Sequence, residues 1–258
     1  MKYWQTYQNA VTTTFAYRGN LVLHLLTVGL NILMACFMWL AVYRFSGSDN
    51  IAGIGANQMI VYLIVVNVLA LIFSANPIFT LSSLIRSGNL SVMLLRPINY
   101  FRQSFWTYLG QATPYLVVYG LAIGLVSPIF HQGWVYVLGS LLLLGVTYGM
   151  YFLLISLISL TSFWLIQVWP LRPVLSALFL LLGGQAFPLQ ILPHAWQWLT
   201  LNPFALAGNQ LTLLLLGKLS QSQLWLATGT AVGWLLLAAV LLKIVWRRGI
   251  RSFEGVGG

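Results

Sequence analysis

Long apolar runs alternate along the chain with short polar and basic intervals, and this spacing predicts helices that cross a membrane. A helix rises 1.5 Å per residue and the hydrocarbon core of a bilayer is about 30 Å thick, so a crossing needs about 20 mostly apolar residues. Six runs approach that length: about Leu21 to Tyr43, Gln58 to Ile78, Phe105 to Val126, Trp134 to Leu160, Pro173 to Phe187 and Leu224 to Trp246. Pro128 closes the third run, and the fifth is short.

Three segments between the runs carry further pattern. Residues 2–20 mix Tyr3, Trp4, Tyr7, Phe15 and Tyr17 with Gln, Asn and Thr. Such a mixture suits a helix lying in the cytoplasmic interface with its rings at head-group level, the alternative being an unstructured tail. From Ser82 to Gln103, Ser87-Gly88-Asn89 reads as a turn and Pro97 as punctuation. Leu90, Met93, Leu94 and Leu95 between them make one apolar side of a short helix, which either rests on lipid or docks a partner. From Pro188 to Gly217, Pro188, Pro193 and Pro203 divide the chain, Trp196 and Trp198 supply interfacial anchors, and Asn202-Pro203 is a helix start. The run Leu211 to Leu216 is too short to span, so short helices dipping into the outer leaflet are expected rather than another crossing.

Composition excludes the soluble classes. Of the 258 residues 60% are hydrophobic and 5% charged, against about 25% charged in ordinary soluble domains, so lipid must cover much of the surface. The net charge of +10 comes from residues scattered singly between apolar runs, not gathered on one face with interleaved aromatics, which argues against nucleic acid as a partner. Their distribution sets orientation instead. With the N-terminus cytoplasmic, Lys2, Arg18, Arg86, Arg96, Arg102, Arg172, Lys243, Arg247, Arg248 and Arg251 lie inside, and only Arg44 and Lys218 lie outside. Five or seven crossings would scatter that bias, so six are expected, with both termini cytoplasmic. The N-terminal stretch lacks the apolar core and cleavage site of a signal peptide. Cys36, the single cysteine, has no partner for a disulfide and no metal-ligand spacing around it.

Candidate chemistry is sparse. The only acids are Asp49, in the first outer loop, and Glu254, near the C-terminus. A proton- or sodium-coupled transporter usually keeps an ionisable group or a broken helix near the midplane. With no carboxylate in any run, energy must come from elsewhere. No paired carboxylates, HExxH, nucleophile elbow or phosphate-binding glycine loop occur, so no catalytic residue, bound cofactor or metal is assigned. His24 falls in the first run, where a hydrogen bond to a neighbouring helix is the default and substrate contact the alternative; His131 and His194 fall in outer loops. Gly120 and Gly124, and again Gly145 and Gly149, form GxxxG pairs that permit close helix packing. Asn31, Asn67, Asn76 and Gln111 serve either as interhelical hydrogen bonds, the preferred reading, or as a partly polar pathway.

Three stretches resemble one family. RSGNLSVMLLRPIN at 86–99 has its Ser-Gly turn, Leu-rich helix and Arg-Pro; GGQAFPLQILPHAWQWLTLNPFALAGNQLTLLLLG at 183–217 has its Phe-Pro, Leu-Pro, Trp and Asn-Pro-Phe series; WRRGIRSFEGVGG at 246–258 has its aromatic, basic and glycine order. With the run layout, the chain resembles the six-span permease subunits of ABC type-2 exporters over nearly its whole length. The resemblance implies an all-α, polytopic, multi-pass protein of the bacterial plasma (inner) membrane. It would be a single transmembrane domain over 1–258, with an interfacial helix at 1–20, a coupling loop at 79–104, an outer re-entrant segment at 188–217 and a cytoplasmic tail at 247–258.

The resemblance further implies pairing with a second permease, identical or related, and with ABC ATPase subunits on separate chains that carry ATP and Mg. Arg86, Gly88, Asn89, Leu90, Arg96 and Pro97 would belong to the ATPase-coupling region, and Pro188, Pro193, Trp196 and Pro203 to the re-entrant segment. The inner loop has no acidic residue for an ion pair with an ATPase. Two other classes stand beside an export permease: a stand-alone channel or assembly anchor without an ATPase, and a membrane enzyme acting on lipid, which would need acid/base work from His24, His131 or His194.

Overall fold

A computed structural model describes residues 2–48, 50–129, 133–165 and 167–252. These residues are helical nearly throughout. The elements are α1 (Lys2–Ala16), α2 (Arg18–Ser46), a hairpin of β1 (Asn50–Ile51) and β2 (Ile54–Gly55), α3 (Ala56–Leu69), α4 (Asn76–Arg86), α5 (Asn89–Leu94), α6 (Tyr100–Ile129), α7 (Trp134–Ser159), α8 (Leu171–Leu182), α9 (Pro203–Ala205), α10 (Leu211–Leu215) and α11 (Gln221–Arg251). The two-residue hairpin turn, Ala52-Gly53, has both residues at positive φ, as a tight right-twisted hairpin demands.

Among the described residues, four stretches are long and apolar enough to cross a membrane: Val22–Ser46, Ala56–Arg86, Trp134–Phe163 and Gln221–Arg251. They support an all-α polytopic membrane protein. α6 runs for 30 residues, about 45 Å at 1.5 Å per residue. α8 has only 12 residues, about 18 Å, and cannot cross as a helix alone.

The second predicted run is not one helix. α3 ends at Leu69, a 3-10 turn covers Ala70–Ile72, and α4 restarts at Asn76 with Pro77 in its first turn. Pro77 lacks the N–H that a continuous helix would need and is tolerated there because the first turn's donors have no intrahelical partner.

Two ends of the bundle can be distinguished from contacts. At one end Leu81, Leu90, Tyr100, Leu160 and Leu242 are buried together, flanked by Trp246. Arg86, Arg96, Arg102, Arg247, Arg248 and Arg251 follow or adjoin these residues along their elements. At the other end the Tyr43 hydroxyl donates to the Ile54 carbonyl at 2.7 Å, Tyr136 to Leu219 at 3.0 Å, and Lys218 to the Gln58 side chain at 3.1 Å.

α7 and α11 pack along each other and run parallel, since a Cβ at Gly139 would lie 3.0 Å from Leu224 and one at Gly149 would lie 3.5 Å from Leu235. α11 opens with a capping box in which Ser220 and Gln223 satisfy each other's backbone donors. α1 lies against α6: Asn99 N–H donates to the Tyr3 hydroxyl at 3.2 Å, Tyr7 meets Trp106 edge-on, and Ala10 and Tyr7 crowd Gly110.

The segment 188–217 forms short helices, as its prolines require. Asn202 caps α9, its side chain accepting from Phe204 and Ala205 N–H at 2.8 and 2.9 Å and donating to the Leu182 carbonyl at 3.1 Å. A π-turn, Leu206–Gln210, joins α9 to α10. From Pro203 to Leu214 every residue is buried within the chain, whereas Trp196 and Trp198 on the preceding 3-10 helix are exposed.

Candidate functional site

The helix break in the second run faces a cavity of about 720 Å³. Every residue from Ala70 to Asn76 lines it. Non-helical backbone at membrane depth is tolerated where protein buries it or where it borders a water-filled space, so the break and the cavity explain each other. α2 contributes His24, Val28 and Asn31; α6 contributes Tyr108, Gln111, Ala112 and Tyr115; α8 contributes Arg172, Leu175, Ser176 and Phe179; Gln185 closes one side, and Thr13, Thr14 and Tyr17 another.

This brings together all four amides singled out from the sequence, Asn31, Asn67, Asn76 and Gln111, with His24. Among the described residues these four amides make no hydrogen bond to one another. Asn67 donates to its own helix at Leu63 (2.8 Å), and among the described residues its side chain accepts a hydrogen bond across the fold from Gln185 at 3.5 Å, the outer limit of a hydrogen bond. The arrangement favours the polar-pathway alternative. An aromatic floor lies beneath: Phe73, Tyr151 and Phe179 are mutually packed, with ring centroids 5.0 to 6.1 Å apart.

The expected coupling residues lie at the end of the molecule marked by Leu81 and Leu160. α4 stops at Arg86, the chain turns at Gly88 with φ +70, and α5 begins at Asn89. A positive φ suits glycine because a Cβ would strain it. Leu90 is fully buried among residues of α4, α6, α7 and α11, and Met93 packs beside it. Leu94 and Leu95 are exposed, so the apolar side of α5 is narrower than the four residues its sequence suggested. Arg86, Asn89, Arg96 and Pro97 are exposed, and Gly88 is half-buried.

Of the paired glycines, a Cβ at Gly120 would touch only Leu141 at 4.0 Å and one at Gly149 would meet Leu235, while Gly124 and Gly145 have open space within this chain. The closest approaches fall elsewhere. A Cβ at Gly208 would collide with the Gly183 carbonyl, and Gly184, at φ +83, presents its carbonyl to the Tyr62 hydroxyl at 2.9 Å. Asn209 ties this region together, its Oδ1 accepting from Tyr62 at 2.8 Å and from Leu189 N–H at 3.3 Å.

Pro188 is buried, while Pro193 and Trp196 are exposed. His194 is exposed at the start of its 3-10 helix, and His131, Asp49, Glu254 and the rest of the tail from residue 253 lie outside the described residues. Among the described residues no group of His, Cys, Asp or Glu is placed to hold a metal.

Sequence reasoning missed Arg172 as a cavity residue, counting it only as an inner charge, and missed the break itself. The available signal was Asn76-Pro77, a turn-type dipeptide inside an otherwise apolar run.

Comparison with known proteins is consistent with this architecture. None of the curated proteins and none of the solved structures matches the chain. A family model described as ABC-2 family transporter protein matches residues 30–257, taking in five of the six predicted runs entirely and most of the first. The chain therefore belongs to the ABC-2 family of transporter proteins.

Proposed function

We propose that this chain is the membrane permease subunit of an ATP-binding cassette exporter, driven by ATPase subunits on separate chains. The observation that carries the reading is the family match over residues 30–257. ATP and Mg belong to the ATPase, because this sequence has no phosphate-binding loop. The chain sits in the bacterial plasma membrane and crosses it six times with both termini cytoplasmic. The parallel course of α7 and α11 supports that count: the chain must return across the bilayer between them, and α8 followed by the partly buried 183–191 stretch supplies that return.

A second permease subunit, identical or related, completes the pathway. In support, the most apolar stretch of α2 is unburied in this chain, with Leu23, Leu26, Leu30, Met34 and Phe37 all exposed, and the same helix forms one wall of the polar cavity. Substrate moves outward from that cavity, past the re-entrant segment with Pro188, Pro193, Trp196 and Pro203. The ATPase acts on Arg86, Gly88, Asn89, Leu90, Arg96 and Pro97. A force on α5 reaches four helices through the buried Leu90, because tightly packed side chains move together rather than yield.

Affinity purification of the tagged chain from mild detergent, with mass spectrometry of its companions, tests the proposal. Recovery of an ATPase bearing a phosphate loop is expected. Reproducible recovery of this chain alone would favour a channel or anchor instead.

A further inference from the structure

Beside the cavity a second pocket, also of about 720 Å³, lies between α4 and residues 168–172. Its polar lining is rich in donors: Arg86 and Arg172, with Ser82, Ser83, Ser87 and the amide of Asn76. No carboxylate occurs among the described residues, so neither guanidinium has an ion pair there. Two like charges sharing a pocket repel each other, and an anion between them relieves that cost.

Arg172 is also held in place. Its guanidinium carbon lies 5.7 Å from the Phe79 ring centroid and 5.6 Å from that of Trp169, so the side chain is fixed by ring faces while its N–H groups stay unused. A planar fork of N–H donors matches the oxygens of a phosphate, and hydroxyls supply further donors.

The surroundings select the source of the phosphate. Trp169 lines the pocket and is exposed, an aromatic side chain of the kind found at head-group level. The pocket also shares Asn76, Phe79 and Arg172 with the first cavity, so it adjoins a space lined by aromatic rings.

We infer that this pocket binds the phosphate headgroup of an anionic phospholipid, which Arg86 and Arg172 hold while its acyl chains lie beside Trp169. The inference rests on the reading of the chain as membrane-spanning, but not on its having an ATPase partner.

The test is native mass spectrometry of the full-length chain, purified with whatever accompanies it, titrated with phosphatidylglycerol, with phosphatidylcholine and with inorganic phosphate. Phosphatidylglycerol should bind more tightly than phosphatidylcholine. Arg172→Gln and Arg86→Gln should each weaken phosphatidylglycerol binding by about tenfold or more, and Arg44→Gln, at the opposite end, should leave it unchanged. Ser83→Glu, at an exposed position, places a carboxylate in the pocket and should abolish binding even if the arginine variants prove too unstable to purify.

Unchanged phosphatidylglycerol binding in the Ser83→Glu variant overturns the inference. So does equal binding of phosphatidylcholine, which offers no net negative charge, or displacement of the lipid by equimolar inorganic phosphate, which would make the pocket a site for free anions. Unchanged lipid binding alongside a co-purified ATPase would remove the pocket and leave the transport reading standing; lipid binding lost in the variants, with no ATPase recovered from the wild type, would do the reverse.

Discussion

Gly208 occupies a position where an added methyl group would strike backbone. A Cβ there would meet the Gly183 carbonyl, and a carbonyl cannot rotate away as a side chain can. Gly208→Ala is therefore expected to destabilise the protein by about 1–3 kcal/mol, the usual cost of overpacking, read as a lowered unfolding temperature in detergent. Gly229→Ala, in an exposed helix position with nothing within 4 Å, should instead gain up to about 1 kcal/mol from helix propensity. At the surface, Arg96→Glu should leave insertion and stability intact, since Arg96 is exposed in the loop after α5, yet, on the proposed function, uncouple ATP hydrolysis from transport; normal stimulated hydrolysis and transport in the purified complex would refute its place in the coupling region. Residues such as Asn202 were legible in the sequence because a cap acts on its own next turn. Gly208 and Arg172 were not, because what they touch lies across the fold: Gly183 lies 25 positions from Gly208, and Phe79 packs on Arg172 from another helix.

Helix α1 and the broken second run show the same division at the next scale. Pattern gave residues 2–20 as an aromatic-rich helix, and a helix forms over Lys2–Ala16; its seat on α6 depends on Gly110, where a Cβ would lie 2.7 Å from the Ala10 side chain and 2.8 Å from the Tyr7 carbonyl. Gly110→Val should unseat α1 while leaving the rest of the bundle folded, seen as faster amide hydrogen exchange confined to residues 2–16. Equal protection in both proteins would mean that α1 is held by something other than this contact. The break at Phe73–Ala75 escaped the pattern because Leu71, Ile72 and Phe73 keep the run apolar straight through it, and averaged hydropathy cannot register a lost hydrogen bond. The polar lining around it was visible as separate amides. Their convergence was not, because Asn31, Asn67, Asn76 and Gln111 come from four different helices.

For the whole molecule, the basic residues and the packing agree on two ends. Leu90 and Trp246 share one cluster beside Arg86 and Arg247, while Lys218 reaches Gln58 at the other end. If the first end faces the cytoplasm, the parallel pair α7 and α11 must both begin outside, and the chain between the end of α7 and the start of α11 must cross outward once. The outward leg is the weak step, since α8 covers only about 18 Å of a core about 30 Å thick and the rest is completed by the 183–191 stretch. Labelling with a membrane-impermeant maleimide decides it. In a Cys36→Ser background, Ser48→Cys and Ser222→Cys should react in intact cells, whereas Val92→Cys and Ser252→Cys should react only after permeabilisation. Labelling of all four in the opposite sense would invert the orientation without changing the count. Exchange of Ser222 and Ser252 alone would mean that the 171–191 segment enters and leaves on the same side, so that the chain crosses five times and its C-terminus lies outside. The buried 203–214 segment and the hydrogen bond from Tyr136 to Leu219 argue against that outcome, because they bind the start of α11 to the start of α7 within one packed core.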